Sequence, residues 1–154
     1  MPSPRQAYDA LIASGSLAPD PAQAAAIARL DALATALGEH SKGRSRGLLG
    51  FARKRPAPRG LYLWGPVGRG KSMLMDLFFE AAPVEPKRRV HFHAFMGETH
   101  EAIRRMRAEE PGDPIGPVAK RIARTAQLLC FDEFQVTDIA DAMLLGRLFE
   151  TLFG

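Results

Sequence analysis

Eight consecutive residues, Gly65-Pro-Val-Gly-Arg-Gly-Lys71-Ser72, fit the spacing G-x-x-x-x-G-K-[ST] without departure. A polyphosphate ligand gives each residue type in that spacing a reason. Glycines let the backbone turn tightly and aim its N–H groups at an anion, and a following helix points its positive N-terminal end at the same charge. Lys71 is then placed to reach the β and γ oxygens, and the Ser72 hydroxyl to ligate Mg2+. The nucleotide-binding set expected from the motif is Gly65, Pro66, Val67, Gly68, Arg69, Gly70, Lys71 and Ser72. A random chain of this length carries the pattern roughly once in two hundred times. A chance match would rarely fall between an apolar run and a helical segment, as this one does, so a plain glycine-rich turn is the weaker reading.

A phosphate loop alone implies a nucleotide and says nothing of hydrolysis. The apolar run Leu128-Leu-Cys-Phe131 leads directly into Asp132 and Glu133. A buried strand would thus deliver two carboxylates at its C-terminal edge, where α/β proteins bind ligands. Asp132 is expected to hold Mg2+ through its water, opposite Ser72. Glu133 is expected to polarise a water for in-line attack on the γ-phosphate. Taken alone, such a run is better explained by a strand ending in an acidic turn; the phosphate loop upstream raises it to a hydrolytic partner. Lys71 and Glu133 are therefore the catalytic candidates, and Ser72 and Asp132 the Mg2+ ligands. No N-K-x-D run is present to read guanine, so ATP is preferred over GTP. The Glu beside the Asp favours ATPases of the additional-strand type over small kinases.

Other residues invite weaker readings. His91 and His93 would alternate on one strand face with His100 nearby, but a third ligand at convincing spacing is lacking, so a structural or partner-contact role is preferred to a metal site. Arg104, Arg105 and Arg107 read as a solvated helix face. Gln23 is placed in packing before any contact with adenine. Cys130, inside an apolar strand, reads as a small buried hydrophobe.

The elements that must position the motifs follow from periodicity. Asp20-Pro21 marks a helix start, and Ile27, Leu30, Ala34 and Leu37 recur at helical spacing up to Gly38. Residues 60–64 form an uncharged apolar run, as expected of a strand buried on both faces. Residues 71–81 read as a helix with Leu74, Leu77 and Phe78 on one face, stopped by Pro83. Strand-like 89–95, helical 97–110, a short helix over 115–126, strand 128–131 and a helix over 139–153 complete the chain. The alternation gives an α/β class: a parallel sheet flanked by helices. The expected organisation is a helical leader over 1–38, a basic linker over 39–59 and the N-terminal part of a P-loop domain over 60–154.

Composition bounds what remains. The 154 residues are 46% hydrophobic and 25% charged, ordinary for one soluble domain. The longest apolar runs fall far short of the ~18 residues needed to cross a bilayer, and the N-terminus lacks a signal-peptide core. One cysteine permits no internal disulfide, and a cytoplasmic location is the default. The net charge of +4 is concentrated in 42–59, which holds seven basic residues and no acid; glycines and prolines there favour a solvated linker over a nucleic-acid contact.

The sequence resembles the ZapE-like AAA-type ATPases, a family with a bacterial cell-division protein and mitochondrial relatives. The likeness runs through Tyr8, Asp20 and Gln23, the run Gly60-Leu-Tyr-Leu-Trp into the phosphate loop, His91-Phe-His-Ala-Phe-Met96, Cys130-Phe-Asp-Glu-Phe134 and Thr137-Asp-Ile-Ala-Asp-Ala-Met-Leu-Leu145. Pro66 and Ser72 stand where the family more often has glycine and threonine, both compatible with phosphate chemistry. The resemblance implies an AAA-type fold, apparently truncated before a sensor strand, with the arginine finger and second sensor beyond Gly154. Without that strand, 60–64 would have unpaired edges on both sides, and the chain alone would bind weakly and turn over little. The resemblance also implies ATP-driven remodelling of a protein partner, in a homo-oligomer, in the cytoplasm or peripheral to the inner membrane. The competing readings are a nucleic-acid-associated ATPase of the helicase-loader kind and a nucleotide-dependent binding protein without turnover.

Overall fold

Ser3-Pro-Arg-Gln6 opens the chain with a reciprocal cap. Ser3 Oγ accepts from the Gln6 N–H at 3.3 Å while Gln6 Oε1 accepts from the Ser3 N–H at 2.9 Å, starting helix α1, Pro4–Ala13. Sequence reading did not anticipate α1, although the S-x-x-Q spacing was available. The computed structural model describes residues 1–46, 56–66, 68 and 70–153; Val67, Arg69 and residues 47–55 of the basic stretch lie outside the described residues. By contacts the chain divides into two units, Met1–Val84 and Glu85–Gly154.

In the first unit, Asp20 begins helix α2, Pro21–Arg46, its Oδ1 accepting from the N–H groups of Ala22 at 2.8 Å and Gln23 at 3.2 Å. The helix does not stop at Gly38 as expected. A Cβ at that position would stand 3.0 Å from Pro83 Cγ, so this glycine allows a close approach and does not cap the helix. Helix α3 spans Lys71–Ala81, as the periodicity predicts. Tyr8, Ile27, Leu30, Ala34, Leu74 and Phe78 are buried, each large apolar one contributing about 1.5–3 kcal/mol by leaving water.

Residues 60–64 correct the expected strand. They form no strand, and Leu61, Tyr62 and Trp64 are 41%, 66% and 83% exposed. An extended segment becomes a strand only when neighbours take up its N–H and C=O groups. Among the described residues the sheet has two strands, both in the other unit, consistent with the unpaired edges foreseen for this segment.

The second unit is a mixed helix and small parallel-sheet structure. Strand β1, Lys87–His91, pairs in parallel with β2, Leu128–Asp132, matching Arg89 to Cys130 and His91 to Asp132. Gln127 fixes the start, its N–H donating to Pro86 O at 2.6 Å and its Nε2 to Glu85 O at 2.7 Å. The crossover runs through α4, Phe92–Glu109, and α5, Ile115–Thr125; α6, Ile139–Phe153, follows β2. The strand expected over 89–95 therefore ends at His91. Phe92, Phe95, Met96, Thr99 and Ile103 are buried on α4, a 3.6-residue spacing that outweighs the short His-Phe-His alternation. The apolar ones among them, with Ile115, Val118, Leu145 and Leu148, make the core against which Val90, Leu129 and Phe131 pack.

Candidate functional site

The phosphate-loop motif lies in the first unit and ends at the start of α3. Gly70 precedes the helix with φ 74° and ψ 17°, a left-handed conformation that a side chain resists. No side chain caps the helix there, which leaves its first N–H groups and positive dipole end facing the loop. Lys71 turns back over the loop, Nζ donating to the carbonyl oxygens of Gly65 at 2.7 Å and Pro66 at 2.8 Å. Ser72 is exposed on the first turn of α3. The structure thus gathers Gly65, Pro66, Lys71 and Ser72 at one helix end. Gln23 is also drawn in: an added Cβ on Gly70 would meet its Nε2 at 2.7 Å, so α2 packs on the end of the loop.

In the second unit, Asp132 closes β2 and Glu133 leaves it with φ 52°. Glu133 is the one described non-glycine residue at positive φ. Such conformations persist only where their surroundings impose them. Here the two flanking phenylalanines converge on α4: Phe131 meets Phe92 at 6.0 Å and Phe95 at 4.8 Å, and Phe134 meets Phe92 at 4.7 Å. With both neighbours anchored, the chain must bend sharply at Glu133, whose side chain is left exposed.

Asp132 has a partner that sequence reading missed. Arg89 Nε donates to Oδ2 at 2.7 Å and Nη2 to Oδ1 at 3.0 Å. These hydrogen bonds hold the Asp132 carboxyl below the usual carboxylate range against an opposing effect of partial burial, and the Arg89 guanidinium is held correspondingly more firmly protonated. Alternation puts Arg89 on the same strand face as His91, but only the parallel register, which sets His91 level with Asp132, relates that face to the carboxylate. Burial pushes the neighbouring Cys130 thiol up to about 11.

The three histidines separate. His91 precedes α4 as its N-cap residue, His93 sits in the first turn, and His100 Nε2 lies 2.7 Å from Asp141 Oδ1 on α6. Among the described residues no group of three His, Cys, Asp or Glu side chains is arranged to hold a metal. Mg2+ is a hard cation that takes one or two oxygen ligands from protein and the rest from water and phosphate, and the Ser72 hydroxyl and the Asp132 carboxylate are oxygen donors of that kind. No described helix is long and apolar enough to cross a membrane.

Comparison with known proteins gives concordant results. A family model described as AFG1-like ATPase matches residues 2–154. Cell division protein ZapE of Escherichia coli K12 is 40% identical over 163 residues, covering 99% of this chain and 43% of the relative. Lactation elevated protein 1 homolog B of Danio rerio is 36% identical over 195 residues, covering 95% and 39%. An uncharacterised Schizosaccharomyces pombe protein is 49% identical over 100 residues, covering 62% and 22%. The chain spans less than half the length of each of these relatives. No solved structure matches it.

Proposed function

Because this chain belongs to the AFG1-like ATPase family, we propose that the protein carrying it binds ATP with Mg2+ at residues 65–72 and hydrolyses it. The observation that carries this reading is Lys71, whose ammonium is gathered over the loop by two carbonyl oxygens at the mouth of an uncapped helix. Phosphate oxygens would replace those carbonyls in charge-assisted bonds, each worth about 1.5–3 kcal/mol. Backbone N–H groups of the loop and of the first turn of α3 would cradle the β-phosphate. Ser72 Oγ and Asp132 would hold Mg2+, which when bound neutralises charge developing between the β- and γ-phosphates. Glu133 would orient a water and take its proton as it attacks the γ-phosphate, a role worth about 10²–10⁴-fold in rate.

By likeness to the division protein, hydrolysis would drive remodelling of a protein partner in or near the division machinery. The fold would be that of AAA-type P-loop ATPases, with 60–154 as its N-terminal part, acting as a cytoplasmic homo-oligomer. Thermal melting of the full-length protein tests binding: MgATP raises the melting temperature, and Lys71→Ala abolishes the rise. Phosphate-release assays test turnover, with Glu133→Gln retaining the thermal shift and losing about 10²–10⁴-fold in rate. Wild-type turnover by Glu133→Gln would remove Glu133 from the mechanism.

A further inference from the structure

Strand alternation sends the consecutive arginines of β1 to opposite faces. Arg88 reaches Glu98 of α4 at 2.6 Å. Arg89 stands level with Cys130 in the parallel register and reaches diagonally forward to Asp132, both carboxylate oxygens engaged by Nε and Nη2. Two parallel N–H···O bonds fix the plane of a carboxylate as well as its place, which the point charge of a lysine cannot do. The pair is also largely covered, with 25% of the Arg89 side chain and 17% of the Asp132 side chain exposed, so it is no solvated surface bridge free to break and reform.

We infer that Arg89 is a positioning residue: its planar fork holds the Asp132 carboxylate in the orientation that meets Mg2+-bound water. This presupposes the Mg2+ role proposed above for Asp132. A carboxylate with two rotatable side-chain bonds has several orientations at the end of a strand, and the fork leaves one. Partners of this kind, one step out from the metal, typically set affinity within 10–100-fold. A role confined to the metal predicts that nucleotide affinity without metal does not depend on Arg89.

The test uses the full-length protein with ADP held constant and Mg2+ titrated, reading the Mg2+ concentration at half-maximal thermal stabilisation. Arg89→Lys and Arg89→Gln are each expected to raise that midpoint by about 10-fold or more while leaving the stabilisation by metal-free ADP unchanged. Melting without nucleotide shows which variants remain folded; should Arg89→Gln fail to fold, Arg89→Lys decides. A raised midpoint in Arg89→Gln alone would show that charge suffices and overturn the role of the fork. An unmoved midpoint in both overturns positioning, and a lowered one shows the guanidinium competing with the metal. Asp132→Asn separates the premises: if it too leaves the midpoint unmoved, the Mg2+ role of Asp132 fails and the inference with it.

Discussion

Glu133 carries a backbone cost that its side chain does not explain. A left-handed φ of 52° costs a non-glycine residue about 1–2 kcal/mol, less for asparagine, whose short amide tolerates that region. Glu133→Asn should therefore leave the melting temperature unchanged or raise it slightly, while ATP turnover in the full-length protein falls by 10²-fold or more, a trade expected of strain kept for function. Asp132 makes a different prediction. Its folded carboxyl lies below the ordinary value of 3.8, chiefly through the Arg89 hydrogen bonds. A depressed carboxyl contributes stability that is present above its unfolded value and is lost as pH falls through the folded one. Melting temperatures without nucleotide should fall more steeply below about pH 4 in the wild type than in Asp132→Asn; equal slopes would mean that the ion pair adds no net stability. The loop and the two carboxylates could be singled out as candidates because short motifs fix residue type and order. Arg89 was not, since its meaning depends on which strand lies beside β2, and a sequence does not print its registers.

At the scale of elements, caps and buried faces were the legible signals and partners the illegible ones. Asp20 illustrates the first. It accepts from two N–H groups of α2, so Asp20→Ala should cost about 0.5–2 kcal/mol and Asp20→Ser should recover most of it, measured by urea denaturation. Gly70 sits at the other kind of helix start, with φ 74° and Gln23 Nε2 close to where a Cβ would be. Gly70→Ala should cost about 1–2 kcal/mol. Because a glutamine amide can swing aside while φ cannot relax, adding Gln23→Ala should restore only a minor part. Helices α3 and α6 were predictable from one face repeating every 3.6 residues. The 60–64 run was misread because apolar composition marks only a capacity to be buried, and strand formation needs an adjacent edge. The segment 92–95 was misread because three alternating residues weighed more than the longer helical period through Phe92, Phe95, Met96, Thr99 and Ile103. Gly38 resembled a stop only until its neighbour Pro83 was visible.

On the scale of the whole molecule, strand and helix alternation announced the α/β class, whereas the grouping into two units depends on long-range packing that no local pattern states. Each unit has its own buried side chains, and the second contains the chain's one cysteine. Cys130 lies 7% exposed on β2, within the two-stranded ladder, with its thiol pushed up to about 11. At neutral pH almost no thiolate is present and little reagent can reach it, so a maleimide should label Cys130 mainly through opening of the second unit. Two phenylalanines of that unit then make opposite predictions. Phe92 is 2% exposed and touches Phe131 and Phe134; Phe92→Ala should cost about 3–5 kcal/mol. When reclosing outpaces labelling, the rate follows the open population, and that loss corresponds to acceleration of about 100-fold or more. Phe153 is 75% exposed, and Phe153→Ala should leave the rate within a few-fold. Equal acceleration by both would mean that Cys130 is reached by fraying of the unit's periphery, and that the aromatic cluster holding Asp132 and Glu133 is not what keeps β2 closed.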